Sequence, residues 1–338
     1  MKLANIFEHL INKEDLTFTE MQDVISACIE DKISDAEIGA FLALMRAKGE
    51  TADELTAAAK TIQSAMRTID LGDEVIDLAG TGGDGKHTFN ISTACSIVAA
   101  AAGAKVAKHG NHSVSSSSGS ADLLLEAGFN IKLSDDQLKR CLQQNNICFL
   151  LTPHFNQAAQ RVKEVRKQLG IKTFFNFLGP VLNPAKVKRQ VVGVFAKAWQ
   201  EKLLNVLINL GSKRVIILHS EDGLDEISIA APTHILEYHD GKRFTWSVNP
   251  NDFNCYHSNL NDIIVNSSAQ SLAVIENAFK GVKGAAYDSI LLNTAIALYC
   301  ADIVKDFKTG VEIAAATINS GNAKRHFLQF RDFTRNVT

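Results

Sequence analysis

Val75-Ile76-Asp77-Leu78-Ala79-Gly80-Thr81-Gly82-Gly83-Asp84-Gly85-Lys86-His87-Thr88-Phe89-Asn90-Ile91-Ser92-Thr93 runs from an apolar segment through a glycine cluster into the start of a helix. Val75 to Leu78 reads as a short buried strand, and an alanine-rich helix is predicted from about Ser92 to Ala102, ended by Gly103. Glycines let backbone N–H groups approach a phosphate, and the helix N-terminus behind them adds partial positive charge. On the glycines alone, a tight strand-to-helix turn capped by Asn90 or Ser92 is the simpler explanation. The spacing fits neither the GxGxxG dinucleotide fingerprint nor the lysine-bearing P-loop.

Outward from this segment the pattern repeats. A second strand is expected at Lys105 to Lys108, followed by a polar loop and a helix through Leu123-Leu124-Leu125. Further strands are expected at about 129–131, 148–151, 190–195 and 214–219, alternating with helices. Four helices close the chain, near 268–279, 288–299, 309–319 and 323–333. Residues 1–70 show only helical periodicity, punctuated by three capping boxes: Thr17 with Glu20, Ser34 with Glu37, and Thr51 with Glu54. The fold class is therefore α/β: a small N-terminal all-helical domain over 1–70, and a large domain over 71–338 with a mainly parallel central sheet flanked by helices. A short segment near 165–185 is expected to pack with the helical domain.

The 338 residues, 46% hydrophobic and 21% charged, suffice for a core without metal or disulfide staples. The net charge of -2 lacks the basic surplus of a duplex binder, so no nucleic-acid partner is expected. No apolar run reaches membrane-spanning length, and the N-terminus has no signal-peptide pattern, so no membrane association is expected. The six cysteines lack CxxC spacing and sit in apolar stretches, pointing to a reduced, cytoplasmic protein.

Three more segments carry chemistry. Lys108-His109-Gly110-Asn111-His112, with the serines that follow, would lie at the same carboxyl edge of the sheet as the glycine cluster, and its cations and hydroxyls suit a phosphorylated anion. Asp222-Gly223-Leu224-Asp225-Glu226 follows an apolar strand and offers hard oxygen ligands for magnesium; standing alone it reads as an acidic surface turn. Arg166 precedes Leu169-Gly170-Ile171-Lys172-Thr173-Phe174-Phe175-Asn176-Phe177-Leu178-Gly179-Pro180, a tightly specified backbone, and can pair with a carboxylate. No Ser-His-Asp order or GxSxG elbow appears.

In this order the four segments resemble the anthranilate phosphoribosyltransferase family over nearly the whole chain. The matching stretches are DLAGTGGDGKHTFNIST at 77–93, KHGN at 108–111, GSAD at 119–122, FNFLGPVLNPA at 175–185, DGLDE at 222–226 and LLNTA at 291–295. The resemblance implies transfer of the 5-phosphoribosyl group from phosphoribosyl pyrophosphate to anthranilate, with magnesium at two ions per subunit. It also implies a homodimer through the helical domain and an active site in the interdomain cleft. It places phosphoribosyl pyrophosphate at Gly80, Gly83, Asp84, Thr88, Asn90, Ile91, Ser92, Thr93, Lys108, His109, Gly110, Asn111, His112, Ser113, Val114, Ser115, Ser116 and Ser120. Anthranilate falls at Gly80, Asn111 and Arg166, and magnesium at Ser92, Asp225 and Glu226. No acid or base is assigned, because an aromatic amine is neutral near pH 7.

The chain departs from the family at His112, where arginine is common, at Ser117, and at Asn156, where relatives carry histidine near the acceptor entrance. A phosphate-touching His112 predicts affinity that weakens as pH rises from about 6 to about 8. The alternatives are a paralogue using another aromatic amine and a pyrimidine nucleoside phosphorylase. A less favoured third reading, a non-enzymatic nucleic-acid-binding relative, predicts a basic groove and a damaged acidic pair, whereas Asp225 and Glu226 are intact and the net charge is -2.

Overall fold

The computed structural model describes residues 3–113, 118–156 and 160–337, with Gln160 and Arg161 as backbone only. Four helices come first: α1 (Leu3–Ile11), α2 (Phe18–Ile29), α3 (Asp35–Lys48) and α4 (Ala52–Ala65). The three expected capping boxes form, each cap accepting from its N3 amide while the N3 glutamate returns to the cap. Glu54 also accepts from the Leu16 amide at 2.8 Å and from Lys48 at 2.9 Å, so its fully buried carboxylate is neutralised and saturated.

The second unit opens with β1 (Ile76–Gly80), α5 (Ile91–Ala101), β2 (Val106–Gly110), α6 (Ser120–Glu126), α7 (Asp135–Asn145) and β3 (Ile147–Leu151). Three helices follow, α8 (Thr152–Phe155), α9 (Gln160–Leu169) and α10 (Phe175–Leu178), before β4 (Arg189–Gly193), α11 (Ala198–Asn209) and β5 (Arg214–Ser220). The chain ends with β6 (Thr233–His239), β7 (Lys242–Val248), α12 (Ser268–Phe279), α13 (Ala285–Cys300), α14 (Phe307–Asn319) and α15 (Asn322–Asn336).

The seven strands form one sheet in the order β3-β2-β1-β4-β5-β6-β7. The first five are mutually parallel, and β5, β6 and β7 are antiparallel. Strand order runs outward from β1 to β3 on one side and restarts at β4 on the other. The switch point of the sheet is thus the crevice beyond the carboxyl ends of β1 and β4, where open α/β sheets bind ligands.

Two local expectations fail. Residues 129–131 form no strand, although Phe129, Ile131 and Leu133 are buried in alternation with exposed Asn130 and Lys132. Their apolar face packs on the last helix, with Phe129 edge-on to Phe327 and Phe330, and the Asn130 amide donates to the Thr334 hydroxyl instead of a ladder. The hairpin of β6 and β7 was not expected. Its turn is Asp240-Gly241 with φ of 46° and 83°, the left-handed pair that tight hairpins use.

The helical unit and the sheet meet through the segment after β3. α9 lies on α2 and α3, with Val165 and Leu169 against Gly39. Phe174 is edge-on to Phe41 of α3. The backbone then returns to the sheet, where Gln190 donates to the Pro180 carbonyl at 2.9 Å and Asn183 to the Ala107 carbonyl at 2.9 Å.

Candidate active site

Gly80 ends β1 and pairs directly with Gly193, which ends β4. Asp225, on the loop after β5, fills the space beside both: a Cβ on Gly80 would strike its carboxylate, and one on Gly193 would strike its carbonyl. The Gly82 amide donates to Asp225 Oδ2 at 2.7 Å. Gly82 and Gly83 take φ of 63° and 72°, a left-handed turn open to glycine, and the Gly82 amide holds this turn on the acidic loop. Asp222 shapes that loop, accepting from the Leu224 amide and the Ser228 hydroxyl, while Asp225 faces the glycines.

Burial raises the Asp225 carboxyl to about 7, reinforced by the charge of Asp84 and opposed by the Gly82 amide. Burial likewise raises Glu226 to about 8, with Asp225 adding repulsion and Lys108 opposing it. The Ser92 backbone N–H, in the first turn of α5, faces Glu226. The carboxylates of Asp84, Asp225 and Glu226 repel one another, with Lys108 as a buried opposing charge. Their hard oxygens fit magnesium, which binds through one or two carboxylates and completes its shell with water and substrate phosphates. No closed cage of three or more His, Cys, Asp or Glu side chains exists among the described residues, and that mode of binding needs none.

The second loop rests on a buried polar floor. Lys108 donates to the Leu78 carbonyl at 2.7 Å; burial lowers its pKa, against the pull of Asp77 and Glu226. His109 Nδ1 lies 2.5 Å from Asp77 Oδ2, and its Nε2 lies 3.0 Å from the Gly179 carbonyl. Burial pushes Asp77 up, but His109 and Lys108 outweigh it and hold the carboxyl below its ordinary range. A carboxylate and a carbonyl thus face the two ring nitrogens of His109. The sequence placed Lys108 and His109 in the phosphate loop. In the fold their side chains lie beneath it, and Asp77, which the sequence did not single out, is their shared counter-ion.

Asp122 ties the base of the loop. One oxygen takes His112 Nδ1 at 2.6 Å, and the other takes the amides of Ser113 at 2.8 Å and Gly119 at 3.0 Å. The Asn111 side chain accepts from the His112 amide at 2.7 Å. Ser120 begins α6, its hydroxyl against the α-carbon of Gly110. Asn90 accepts from the hydroxyls of Ser118 and Ser271 and donates to the Ser118 carbonyl, joining the two loops to α12. Thr88 bridges to Ile264; the amides of Phe89 and Val265 bond to Ile263 and His87 across this contact, a brace that had no signal in the sequence. Ile91 is buried, as is Thr93, whose hydroxyl has no partner. Val114, Ser115, Ser116 and the divergent Ser117 lie outside the described residues.

Across the cleft, Arg166 on α9 has its guanidinium carbon 5.7 Å from the centre of the Phe175 ring. Burial lowers its pKa, and no carboxylate pairs with it among the described residues. Asn156 is buried, and its side-chain oxygen has no hydrogen-bond partner among the described residues.

Known proteins match the chain across both the helical unit and the sheet-bearing unit. A family model described as the helical bundle domain of a glycosyl transferase family matches residues 4–66, and one described as its a/b domain matches 72–324. The chain is 51% identical to the anthranilate phosphoribosyltransferase of Legionella pneumophila (strain Lens), covering 100% of this chain and 98% of that one. It is 44% identical to that of Ruthia magnifica, over 100% and 99%. Among solved structures, the Thermus thermophilus enzyme superposes with a TM-score of 0.90 at 30% identity, covering 97% of this chain and 99% of that one. The Saccharomyces cerevisiae enzyme in complex with phosphoribosyl pyrophosphate and magnesium superposes at 0.89 with 28% identity, over 99% and 98%.

Proposed function

The chain belongs to the anthranilate phosphoribosyltransferase family, and on that footing we propose how its cleft carries out the reaction. The protein is a magnesium-dependent glycosyltransferase of tryptophan biosynthesis. It moves the 5-phosphoribosyl group of phosphoribosyl pyrophosphate to the amine of anthranilate, releasing pyrophosphate.

The observation that carries the site reading is the glycine turn folded onto the buried carboxylates, with Gly82 donating to Asp225. Backbone amides attract phosphates and buried carboxylates repel them, and a divalent cation between carboxylates and phosphates reconciles the two. Ser92, Asp225 and Glu226 would hold magnesium, two ions per subunit, which when bound neutralises the pyrophosphate. The backbone at Gly80, Gly83 and Asp84, the α5 entry from Thr88 to Thr93, and the loop from Lys108 to Ser116 with Ser120 cradle the phosphates. In this cradle Lys108 and His109 act from the floor, holding the backbone of Gly110, Asn111 and His112 in place.

Arg166, a half-buried cation without a counter-ion among the described residues, receives the anthranilate carboxylate, with Asn111 and the Gly80 backbone completing the acceptor site. The bond from the anomeric carbon to pyrophosphate breaks, the amine nitrogen bonds to that carbon, and the nitrogen then sheds its extra proton. The amine is neutral near pH 7, so positioning dominates; it is worth ~7–11 kcal/mol in favourable cases. The arrangement explains why no strong base is needed.

Packing of α9 on α2 and α3 supports grouping the start of the 165–185 segment with the helical unit of residues 1–70, while Pro180 and Asn183 hydrogen-bond to the sheet. Exposed Ile11 and Phe18 on that unit support a homodimer through it. Six free, buried cysteines support a reducing cytoplasmic location, and no described helix is long and apolar enough to cross a membrane.

The decisive experiment follows anthranilate fluorescence with and without phosphoribosyl pyrophosphate and magnesium. Consumption should require both. Equal consumption without the sugar donor, or turnover of pyrimidine nucleosides in preference, would replace this assignment.

A further inference from the structure

Lys172 follows α9 on the acceptor wall, beyond Arg166, and reaches across the cleft to the glycine turn. Its ammonium donates to the Gly83 carbonyl at 2.6 Å, 89 positions away in sequence. The same nitrogen stands 3.7 Å from the centre of the Phe195 ring, just past the end of β4. No carboxylate pairs with it among the described residues. One cation thus touches three parts of the site: the turn after β1, the lip after β4, and the segment that carries the acceptor arginine.

The bond to Gly83 sets more than one carbonyl. A trans peptide is planar, so its C=O and the next N–H point in opposite directions. Turning the Gly83 carbonyl outward to Lys172 therefore turns the Asp84 N–H the other way. Gly82 and Gly83 both lie in the left-handed region, which glycine adopts freely, so steric limits within the turn do not dictate this orientation. Lys172 selects it from outside. Phe195 fixes the lysine in turn, since a cation over an aromatic face is held by the ring quadrupole.

We propose that Lys172 is a positioning residue for phosphoribosyl pyrophosphate: held on Phe195, it orients the Gly83–Asp84 peptide of the phosphate cradle from the opposite wall. The cradle is then set only when the wall bearing Arg166 is in place, which links donor binding to acceptor-site geometry. This rests on reading the glycine turn as the cradle.

The test pairs kinetics with direct binding of magnesium pyrophosphate by calorimetry, without anthranilate. Lys172→Met should weaken pyrophosphate binding and raise the KM for phosphoribosyl pyrophosphate about tenfold, the weight of one charge-assisted hydrogen bond. The kcat should fall less than the KM rises, and the anthranilate KM at saturating donor should stay within about twofold, well below one such bond. Lys172→Arg, which keeps a cation over Phe195, should recover most of the loss, and Phe195→Leu should reproduce a smaller part of it. If Lys172→Met melts early, Lys172→Gln is read in the same assays. A folded Met or Gln variant with parental pyrophosphate affinity and parental donor KM overturns the proposal. So does a loss confined to kcat that arginine does not repair. A parent that binds pyrophosphate yet ignores anthranilate would defeat the activity reading alone, leaving this one to be judged on binding. A parent that binds no pyrophosphate would defeat both.

Discussion

Asp225 lies so close to the α-carbon of Gly80 that its carboxylate occupies the place of a side chain there, and its carbonyl does the same at Gly193. The two glycines are register partners, so one aspartate seals the crevice between β1 and β4. The substitutions Gly80→Ala and Gly193→Ala should therefore differ in kind. At Gly80 the obstacle is a side chain that can swing aside, so the fold should survive while the metal loop is displaced and kcat/KM falls roughly a hundredfold, as for loss of one well-placed electrostatic group. At Gly193 the obstacle is backbone, and overpacking should cost about 1–3 kcal/mol of stability. Urea unfolding beside a magnesium titration separates the two; equal stability for both variants would show that the contact at Gly193 is soft.

What could be read from the sequence was what short spacing determines. Thr17 and Glu20, or Ser34 and Glu37, are three residues apart, and such boxes formed as expected. The glycine turn after β1 and the loop after β2 came to one edge because parallel strands must all point the same way. What stayed hidden depends on distant partners. His109 looked like a phosphate ligand because nothing local reveals that Asp77, 32 positions earlier, claims its ring. Residues 129–131 carry genuine strand alternation, yet α15 covers their face and no strand lies beside them. The β6–β7 turn did carry a local signal, Asp240-Gly241, but Glu237 interrupts the apolar pattern of β6; that carboxylate is buried only because Arg214, Trp246 and Tyr299 surround it.

Arg166→Ala should act on the acceptor alone. Its guanidinium is half-buried without a counter-ion among the described residues, so the anthranilate carboxylate supplies a charge-assisted pair worth about 1.5–3 kcal/mol. The anthranilate KM should rise roughly 10–150-fold while the donor KM holds. Arg166→Lys should recover little, because a point charge cannot reproduce the planar fork. Initial-rate kinetics over both substrates checks this, and a loss confined to the donor KM would move Arg166 to the other side of the cleft.

The raised carboxyls of Asp225 and Glu226 make a signed prediction. Without metal, the folded protein keeps protons at these sites that the unfolded chain releases near pH 4. Stability then falls as pH rises from about 4 toward about 8 and levels off above that. Magnesium should reverse the loss, releasing protons as it binds, and its affinity should climb over the same interval. In Asp225→Asn with Glu226→Gln, this part of the pH dependence should vanish together with turnover at ordinary metal levels. Melting curves from pH 5 to pH 9, with and without magnesium, compare parent and double variant. Parallel curves for the two proteins would remove the acidic pair from the metal site.

Asp122 should matter to donor binding without touching the donor. It holds His112 and the amides of Ser113 and Gly119 together, closing the base of the serine loop. Burial raises its pKa, but the Ser113 amide, His112 and the Gly119 amide outweigh that and leave it below the ordinary value. A depressed carboxyl contributes its full effect above the unfolded value and loses it only in acid, so this clasp stays charged across the neutral range. Asp122→Asn keeps one acceptor oxygen of two, and the loss of about 1–2 kcal/mol should raise the donor KM roughly 5–30-fold, equally at pH 6 and pH 8. Any fall in parental donor affinity between those values must then come from another group. His112→Gln assigns it: a variant whose affinity no longer changes with pH identifies the histidine as the phosphate contact, and an unaltered slope excludes it.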